Sequence, residues 1–160
     1  MHEKIMKGEL SNVPLGAFIS IIHRTRMIYI NDKIKELGLT AGQYPFFMEL
    51  SHNEGITQDD IANLFHIDKG TVARALRKLE DNKFIYREID PENRRRYLIY
   101  LTEKGKDTIP QVKSIDKEWE NLVCSEFSND ENSRLLEILQ ELVINSLEKV
   151  HKHGENNNEK

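Results

Sequence analysis

The spacing of apolar side chains changes abruptly within residues 57–101, and this change constrains the fold more than any other feature of the sequence. Before Asn82 the apolar residues recur every three or four positions, which predicts helices, and after it they alternate, which predicts strands. The stretch therefore predicts two helices joined by a tight turn and followed by a two-stranded hairpin. That succession is typical of a winged helix-turn-helix lobe.

Both predicted helices begin at residues that can cap them. Thr57 can accept a hydrogen bond from a free backbone N–H while Asp60, three residues on, reaches back, as in a capping box. Asp68 can cap the second helix, and Ile67 can pack on Val72 as a hydrophobic staple. The residues of the first helix that we expect to face inward are Ile61, Ala62, Leu64 and Phe65.

The second helix has one apolar and one basic face. The apolar face, which we expect to be buried, consists of Val72, Ala75, Leu76 and Leu79. The opposite face consists of Gly70, Thr71, Arg74, Arg77 and Lys78. This basic face could bind DNA, or it could simply be exposed to solvent. The capped helix before it and the hairpin after it favour DNA, because three elements then agree.

The hairpin carries a basic tip. Two alternating segments, 84–89 and 97–101, bracket residues 90–96, in which Asp90 and Pro91 favour a turn. Three consecutive arginines complete the tip, namely Arg94, Arg95 and Arg96. Arginines on a short arm suit the narrow, negative minor groove of DNA, whereas a solubilising loop is the alternative.

The DNA-binding residues predicted from these patterns lie on three elements. Thr57 and Gln58, at the start of the first helix, are expected to touch phosphate. Those expected on the second helix are Lys69, Gly70, Thr71, Arg74, Arg77 and Lys78. Those expected on the hairpin tip are Arg94, Arg95 and Arg96. Because Gly70 has no side chain, the start of the second helix can approach a phosphate closely.

The order of these motifs resembles the multiple-antibiotic-resistance regulator (MarR) family of transcription factors. The resemblance covers about residues 15–150 and rests on Ile61-Ala62, Asp68-Lys69-Gly70-Thr71-Val72, Leu79-Glu80, Asp90-Pro91-Glu92-Asn93-Arg94-Arg95 and Leu101-Thr102-Glu103-Lys104-Gly105. It implies a homodimeric repressor on a pseudo-palindromic double-stranded DNA operator, released by a small lipophilic or phenolic effector. Family wings usually carry an acidic residue where this chain has Asn93, which leaves Asp90 and Glu92 as the alternatives for bracing the wing.

Charge is distributed unevenly along the chain. The formal net charge is −4, which by itself argues against a nucleic acid partner. Residues 69–106, however, hold 11 basic and 6 acidic side chains, whereas residues 1–68 hold 6 and 9 and residues 107–160 hold 6 and 12. Because local potential rather than whole-chain charge attracts a polyanion, the basic centre remains compatible with DNA binding.

Long apolar stripes outside the lobe predict a second copy of the chain as partner. Such stripes run along three predicted helices, 13–37, 102–127 and one capped by Ser128 or Asn129, and they exceed what the lobe can cover. His23 lies on the first stripe, as an interface or core histidine or as part of an effector pocket. We expect one mainly α domain over 1–160 with a small β wing. Its expected parts are dimerisation helices at 13–38 and 102–152, a DNA-binding lobe at 40–101 and a disordered tail at 153–160.

Other function classes find little support. No Ser-His-Asp order, phosphate loop or paired carboxylates indicate an enzyme, and the single Cys124 indicates neither a disulfide nor a metal site. We expect no catalytic residue, metal or cofactor. No apolar run has the length of about 18 residues that a membrane span needs, and charges are spread through the first ten residues, so we expect a cytoplasmic protein without membrane contact. The alternative function is a winged-helix protein-interaction module without a DNA target.

Overall fold

The computed structural model describes residues 13–158, which form six α-helices and three strands. In chain order they are α1 (Leu15–Ile34, continued by a 3₁₀ turn at Lys35–Leu37), α2 (Tyr44–Leu50), β1 (Ile56–Thr57), α3 (Gln58–Phe65), α4 (Lys69–Asp81), β2 (Ile85–Ile89), β3 (Tyr97–Leu101), α5 (Glu103–Val123) and α6 (Asn129–Asn158). The chain divides into two compact units, one ending at Trp119 and the other beginning at Glu120. The charged segment 1–12 and residues 159 and 160 lie outside the described residues.

The predicted fold class is confirmed, because a small antiparallel sheet accompanies helices. The strand order is β1-β3-β2, with β3 in the centre. Winged folds generally have a brief strand that pairs with the wing, and we expect it at Ile56. Ile56 does pair with Ile99, and Arg87 pairs with Ile99 from the other side. The two longer strands form the predicted wing.

The core of the first unit is built around the predicted apolar face of α4. Val72, Ala75, Leu76 and Leu79 are all buried. They lie in one cluster with residues from α1, α2, α3 and the sheet, among them Phe47 and Phe84, whose rings meet edge to face at 5.6 Å. Burial of one face leaves the other face of α4 outward, which positions its basic residues.

Two predictions for the short helices are wrong in detail. Leu64 is 57% exposed, although it was expected to face inward. At 100° per residue it lies roughly 110° from the middle of the face formed by Ile61, Ala62 and Phe65, so it falls outside that face. The sequence also predicts that Thr40 caps a short helix from Ala41 to Ser51. The helix begins at Tyr44 instead, because residues 41–43 form a turn in which the amide and hydroxyl of Thr40 both donate to Gln43 Oε1.

Helix α1 has two halves with different surroundings. Ile30 and Ile34 are buried in the core, whereas Leu15, Ile19 and Ile22 in the first half are exposed. Gly38 ends the helix with φ of 79°, a left-handed conformation that suits glycine.

Helix α6 begins where the sequence predicted, at a capped serine. The amide and hydroxyl of Ser128 donate to Glu131 Oε2 at 2.9 and 2.8 Å, while the Glu131 amide donates to Ser128 Oγ at 3.3 Å. The exposed apolar residues of α6 include Leu136, Ile138, Leu139, Val143, Ile144 and Leu147. The helix continues to Asn158, which differs from the disordered tail predicted from residue 153; the polar residues there include no proline to end it. None of the helices in the described part of the chain has the length and apolarity to cross a membrane.

Candidate nucleic-acid interface

The start of α3 is fixed by the predicted capping box. Thr57 Oγ1 accepts from the Asp60 amide at 3.2 Å, and the Thr57 amide and hydroxyl donate to Asp60 Oδ2 at 2.9 and 2.7 Å. These hydrogen bonds from the Thr57 hydroxyl and amide lower the pKa of Asp60. Thr57 is only 5% exposed, so its side chain supports the surface from beneath, while the neighbouring Gln58 lies partly at the surface.

The start of α4 orders one of its arginines. Asp68 caps the helix by accepting from the Thr71 amide at 2.8 Å and from the Thr71 hydroxyl at 2.6 Å. These bonds lower the pKa of Asp68, mainly through the hydroxyl. Arg74 Nη2 in turn donates to Thr71 Oγ1 at 2.8 Å. The series Asp68-Thr71-Arg74 therefore directs the Arg74 guanidinium towards the first turn of α4.

Two contacts join the starts of α3 and α4. Lys69 Nζ lies 2.8 Å from Asp59 Oδ2, and Gln58 Nε2 donates to the Lys69 carbonyl at 3.4 Å. Both partners of the ion pair are more than half exposed, so its contribution to stability is small. Asp59 thus holds the Lys69 side chain at this surface, where its charge is available to a polyanion.

The outward face of α4 is the predicted one. Its exposed members are Lys69, Gly70, Arg74, Arg77 and Lys78, and Thr71 is half-buried. Gly70, Arg74, Arg77 and Lys78 lie away from the buried face because the helical period separates the two sets, and Lys69 and Thr71 lie at the edges of the outward face, in the first turn. The charged members leave this surface of the lobe basic.

The wing tip is braced by Asp90. This residue is only 8% exposed; its Oδ1 accepts from the Glu92 amide at 2.9 Å, and its Oδ2 lies 3.9 Å from Arg96 Nε. Asn93 Oδ1 accepts from the Arg95 amide at 3.1 Å, which orders the rest of the turn. Of the two alternatives left by the sequence, Asp90 provides the brace. Arg94, Arg95 and Arg96 are exposed at the tip.

A cleft of about 430 Å³ separates the wing from the start of α3. It is lined by Thr57, Gln58, Asp59, Arg87, Arg95, Arg96, Tyr97 and Ile99. Arg87 was missed by the reasoning from sequence, which treated it only as one residue of an alternating strand. A signal was available, because Arg87 is two residues after Ile85 and so lies on the same face of the strand. Ile85 is buried, whereas Arg87 is half-buried at the edge of the cleft.

A polar junction joins three helices of the first unit. Arg26 Nη2 on α1 donates to Tyr44 Oη on α2 and to Asp116 Oδ1 on α5, both at 2.6 Å. Tyr44 Oη donates to Asp116 Oδ2 at 2.5 Å, and burial and this bond raise the pKa of Tyr44 to about 12. The Arg26 guanidinium also lies 5.8 Å from the ring centre of Trp119. His23, the candidate effector residue, is exposed on α1.

Metal-ligating side chains are dispersed in the part of the chain that the structure describes. No group of three or more histidine, cysteine, aspartate or glutamate residues there is close enough to hold a metal ion.

Comparison with known proteins gives a consistent result. Residues 39–97 match the family model described as the MarR family. An uncharacterized HTH-type transcriptional regulator, YybA of Bacillus subtilis (strain 168), is 31% identical over 121 residues, which make up 76% of this chain and 81% of YybA.

Solved structures extend the similarity to the fold. A MarR transcriptional regulator from Methanosarcina mazei Go1 is 38% identical with a TM-score of 0.81, over 84% of this chain and 96% of that one. A putative MarR family transcriptional regulator from Listeria monocytogenes, complexed with 26mer DNA, is 26% identical with a TM-score of 0.75, over 82% and 88% of the two chains.

Proposed function

Because this chain belongs to the MarR family of transcriptional regulators, we propose that it binds double-stranded operator DNA as a homodimer and represses transcription until a small effector releases it. One observation carries the proposal: the exposed basic face of α4 and the arginine tip of the wing occur on the same lobe, in a chain whose net charge is −4. Such a concentration of positive charge attracts a polyanion.

The two basic elements have different roles in this proposal. Helix α4 enters the major groove, where Arg74 can reach base edges and Lys69, Arg77 and Lys78 meet bases or phosphates. The wing arginines Arg94, Arg95 and Arg96 lie over the adjacent minor groove, where groove width and A·T content matter more than base identity. Gln58, Gly70 and Thr71 border the phosphates, and Thr57 positions that edge.

The exposed apolar surfaces support the assignment of the remaining helices to dimerisation. Residues 13–38 and 102–152 contain Leu15, Ile19 and Ile22 on α1 and the six apolar residues of α6 named above, which are exposed in a single chain. Exposed apolar surface on each of these helices indicates a partner, and a second copy provides it with the twofold symmetry that a pseudo-palindrome requires. Residues 40–101 then form the DNA-binding lobe.

The relatives compared above are described as transcriptional regulators. We propose that this chain likewise has no catalytic activity and acts in the cytoplasm, where bacterial and archaeal DNA lies. The effector is a small lipophilic or phenolic molecule, with His23 as a candidate contact. A protein-interaction module without a DNA target would leave the arginine tip and the basic face of α4 without a ligand.

Binding titrations with Arg74→Ala, Arg94→Ala and the wild-type protein test the proposal. The DNAs are a duplex selected in vitro by the wild-type protein and a random duplex of equal length. We expect the logarithm of the wild-type binding constant to fall with that of salt concentration with a slope steeper than about −4. Arg74→Ala should weaken binding to the selected duplex about 5- to 150-fold and the random duplex less, because it removes a base contact.

Loss of a wing charge should act differently. Arg94→Ala should weaken both duplexes more evenly and reduce the steepness of the salt dependence by about one. Lys113→Ala, which removes a charge from an exposed position on α5, serves as control and should change neither quantity. A salt slope near zero for the wild-type protein would instead favour the protein-interaction module.

A further inference from the structure

We propose that the cleft between the wing and the start of α3 binds a phosphate group of the DNA backbone, and that Arg87 binds this phosphate from a position set by Glu80. The inference rests on the proposed function and adds a binding site and two residues to it. Neither Arg87 nor Glu80 belongs to the basic face of α4 or to the wing tip.

The geometry of duplex DNA indicates which of its groups would lie near the cleft. The major and minor grooves are separated by a sugar-phosphate strand, so a protein that reads both grooves with two neighbouring elements must straddle that strand. Here the elements are α4 and the wing tip, and the space beside the wing and the α3 start is the 430 Å³ cleft. Phosphates are therefore the groups of DNA that come nearest to its walls.

The charge of the cleft suits a phosphate. Arg87, Arg95 and Arg96 line it, and Asp59 is its one acidic wall residue among those the structure describes. That acid is already paired with Lys69 at 2.8 Å, so its repulsion of an anion is reduced. The N-terminus of α3 adds partial positive charge on the same side, because helix N-termini favour anions.

Arg87 is held more closely before DNA arrives than Arg96, the wing-tip arginine whose Nε lies 3.9 Å from Asp90 Oδ2 and whose side chain is 51% exposed. Arg87 Nε lies 3.1 Å from Glu80 Oε2 on α4, and its side chain is only 25% exposed. This Nε is buried and makes no aligned hydrogen bond within the described residues, so the contact is an ion pair. A guanidinium is a planar fork, so an ion pair at Nε leaves terminal nitrogens available for a phosphate oxygen. Glu80 is thus a positioning residue, and its effect on DNA acts through Arg87.

A map of single phosphates on the selected duplex tests the inference. Each phosphate in turn is replaced by an uncharged methylphosphonate, and binding of the wild-type protein, Arg87→Ala, Arg87→Lys and Glu80→Gln is measured. With the wild-type protein, replacement of the phosphate in the cleft should weaken binding about 10-fold, as expected for a charge-assisted hydrogen bond. With Arg87→Ala that one position should lose most of its effect, while the other sensitive positions keep theirs.

The other variants separate charge, geometry and positioning. Arg87→Lys keeps the positive charge but loses the planar fork of the guanidinium. It should therefore reduce the effect of replacing the cleft phosphate, but by less than Arg87→Ala does. Glu80→Gln should weaken DNA binding about 2- to 5-fold. In the map, it should alter the effect of replacing the cleft phosphate and leave the effects at the other phosphates unchanged. Lys113→Ala should reproduce the wild-type map. Melting curves of all variants show which of them are folded, and Arg87→Lys carries the test if Arg87→Ala does not fold.

Each failure has a distinct pattern. A wild-type protein whose binding ignores every methylphosphonate and the salt concentration contradicts the proposed function itself. The inference alone is contradicted if the wild-type protein is sensitive to individual phosphates but the folded Arg87 variants bind every duplex more weakly by the same factor. Arg87 would then act on the lobe as a whole and not on one phosphate. Unchanged binding by the Arg87 variants contradicts the inference as well.

Discussion

At Gly105 a single missing side chain allows the wing to join the long helix α5. A Cβ at this position would lie 2.3 Å from the Phe84 carbonyl oxygen. That oxygen also accepts hydrogen bonds from the Thr102 amide and hydroxyl, at 3.0 and 3.2 Å, so the backbone there cannot move without breaking them. Gly105 is therefore required by a close approach of two backbone segments.

We expect Gly105→Ala to lower the free energy of unfolding by about 1–3 kcal/mol, since overpacking against backbone cannot be relieved by a rotamer change. Urea unfolding monitored by circular dichroism measures the effect. Gly16→Ala on α1 is the control, because a Cβ there has no neighbour within 4 Å and alanine favours helix. Equal destabilisation by both substitutions would show that the Phe84 carbonyl is not the cause.

Sequence reasoning at the residue scale succeeded where the cause is local. Thr57 with Asp60 and Asp68 with Thr71 act within one helical turn, and the predicted caps are present. Arg87 and Gly105 derive their importance from Glu80 and Phe84, which meet them only after the sheet and α4 have packed. No pattern within one turn of the chain contains that information, so the sequence does not identify Arg87 as a site residue and shows Gly105 only as the last residue of the motif 101–105.

At the scale of elements, the capping box of α3 makes stability depend on pH. The pKa of Asp60 in the folded protein is lowered from its ordinary value of 3.8, first by the Thr57 hydroxyl and then by the Thr57 amide. A carboxylate with a depressed pKa stabilises the fold above its ordinary pKa, and this stabilisation is lost as pH falls through the lower folded value. The stabilisation that the Asp60 carboxylate provides is therefore lost below pH 3.8.

We expect Asp60→Asn to lower the free energy of unfolding by about 0.5–2 kcal/mol at neutral pH, the usual range for a helix cap. The difference from the wild-type protein should narrow as pH falls below about 4. Urea titrations between neutral and acid pH measure it, with Asp59→Asn in the same helical turn as control. A difference that stays constant down to the acid limit would mean that the Asp60 charge contributes nothing to the cap.

Element boundaries were predicted from sequence where a cap or an alternation defined them. Helices α3, α4 and the two wing strands lie where expected, and α4 buries the predicted face. The sequence predicts the start of α2 three residues early, because threonine is a typical N-cap residue, whereas the bonds from Thr40 to Gln43 close a turn. Leu64 was assigned inward because hydrophobicity alone does not specify which edge of a short helix meets the core.

At the scale of the whole molecule, the exposed apolar residues of α6 lead to a prediction about assembly. Leu139 and Val143 lie four residues apart on one face of the helix and are 41% and 57% exposed in the single chain. Changing both to glutamate would place two charges in the proposed dimer interface, where burial of a charge costs several kcal/mol. We expect dissociation to a folded monomer, with dimer affinity reduced more than about 100-fold.

Sedimentation equilibrium measures this change, and the affinity for the selected duplex should fall with it, because a dimer doubles the number of DNA contacts. Asn145→Glu adds one charge at an exposed position of the same helix, roughly 140° around the axis from the middle of Leu139 and Val143, and should leave the dimer intact. A doubly substituted protein that remains dimeric would exclude this face of α6 from the interface. Sequence periodicity predicted that such a surface exists, but a single chain does not specify how two copies meet.

The junction of Arg26, Tyr44 and Asp116 has a further consequence, which is optical. Trp119 is the only tryptophan in the chain, and its ring centre lies 5.8 Å from the Arg26 guanidinium. Indole emission responds to nearby charge and to solvent, so fluorescence excited at tryptophan wavelengths originates from one point, where α1, α2 and α5 meet. The protein thus contains its own reporter for any ligand, DNA or effector, that displaces α1 from these partners, and no attached dye is needed.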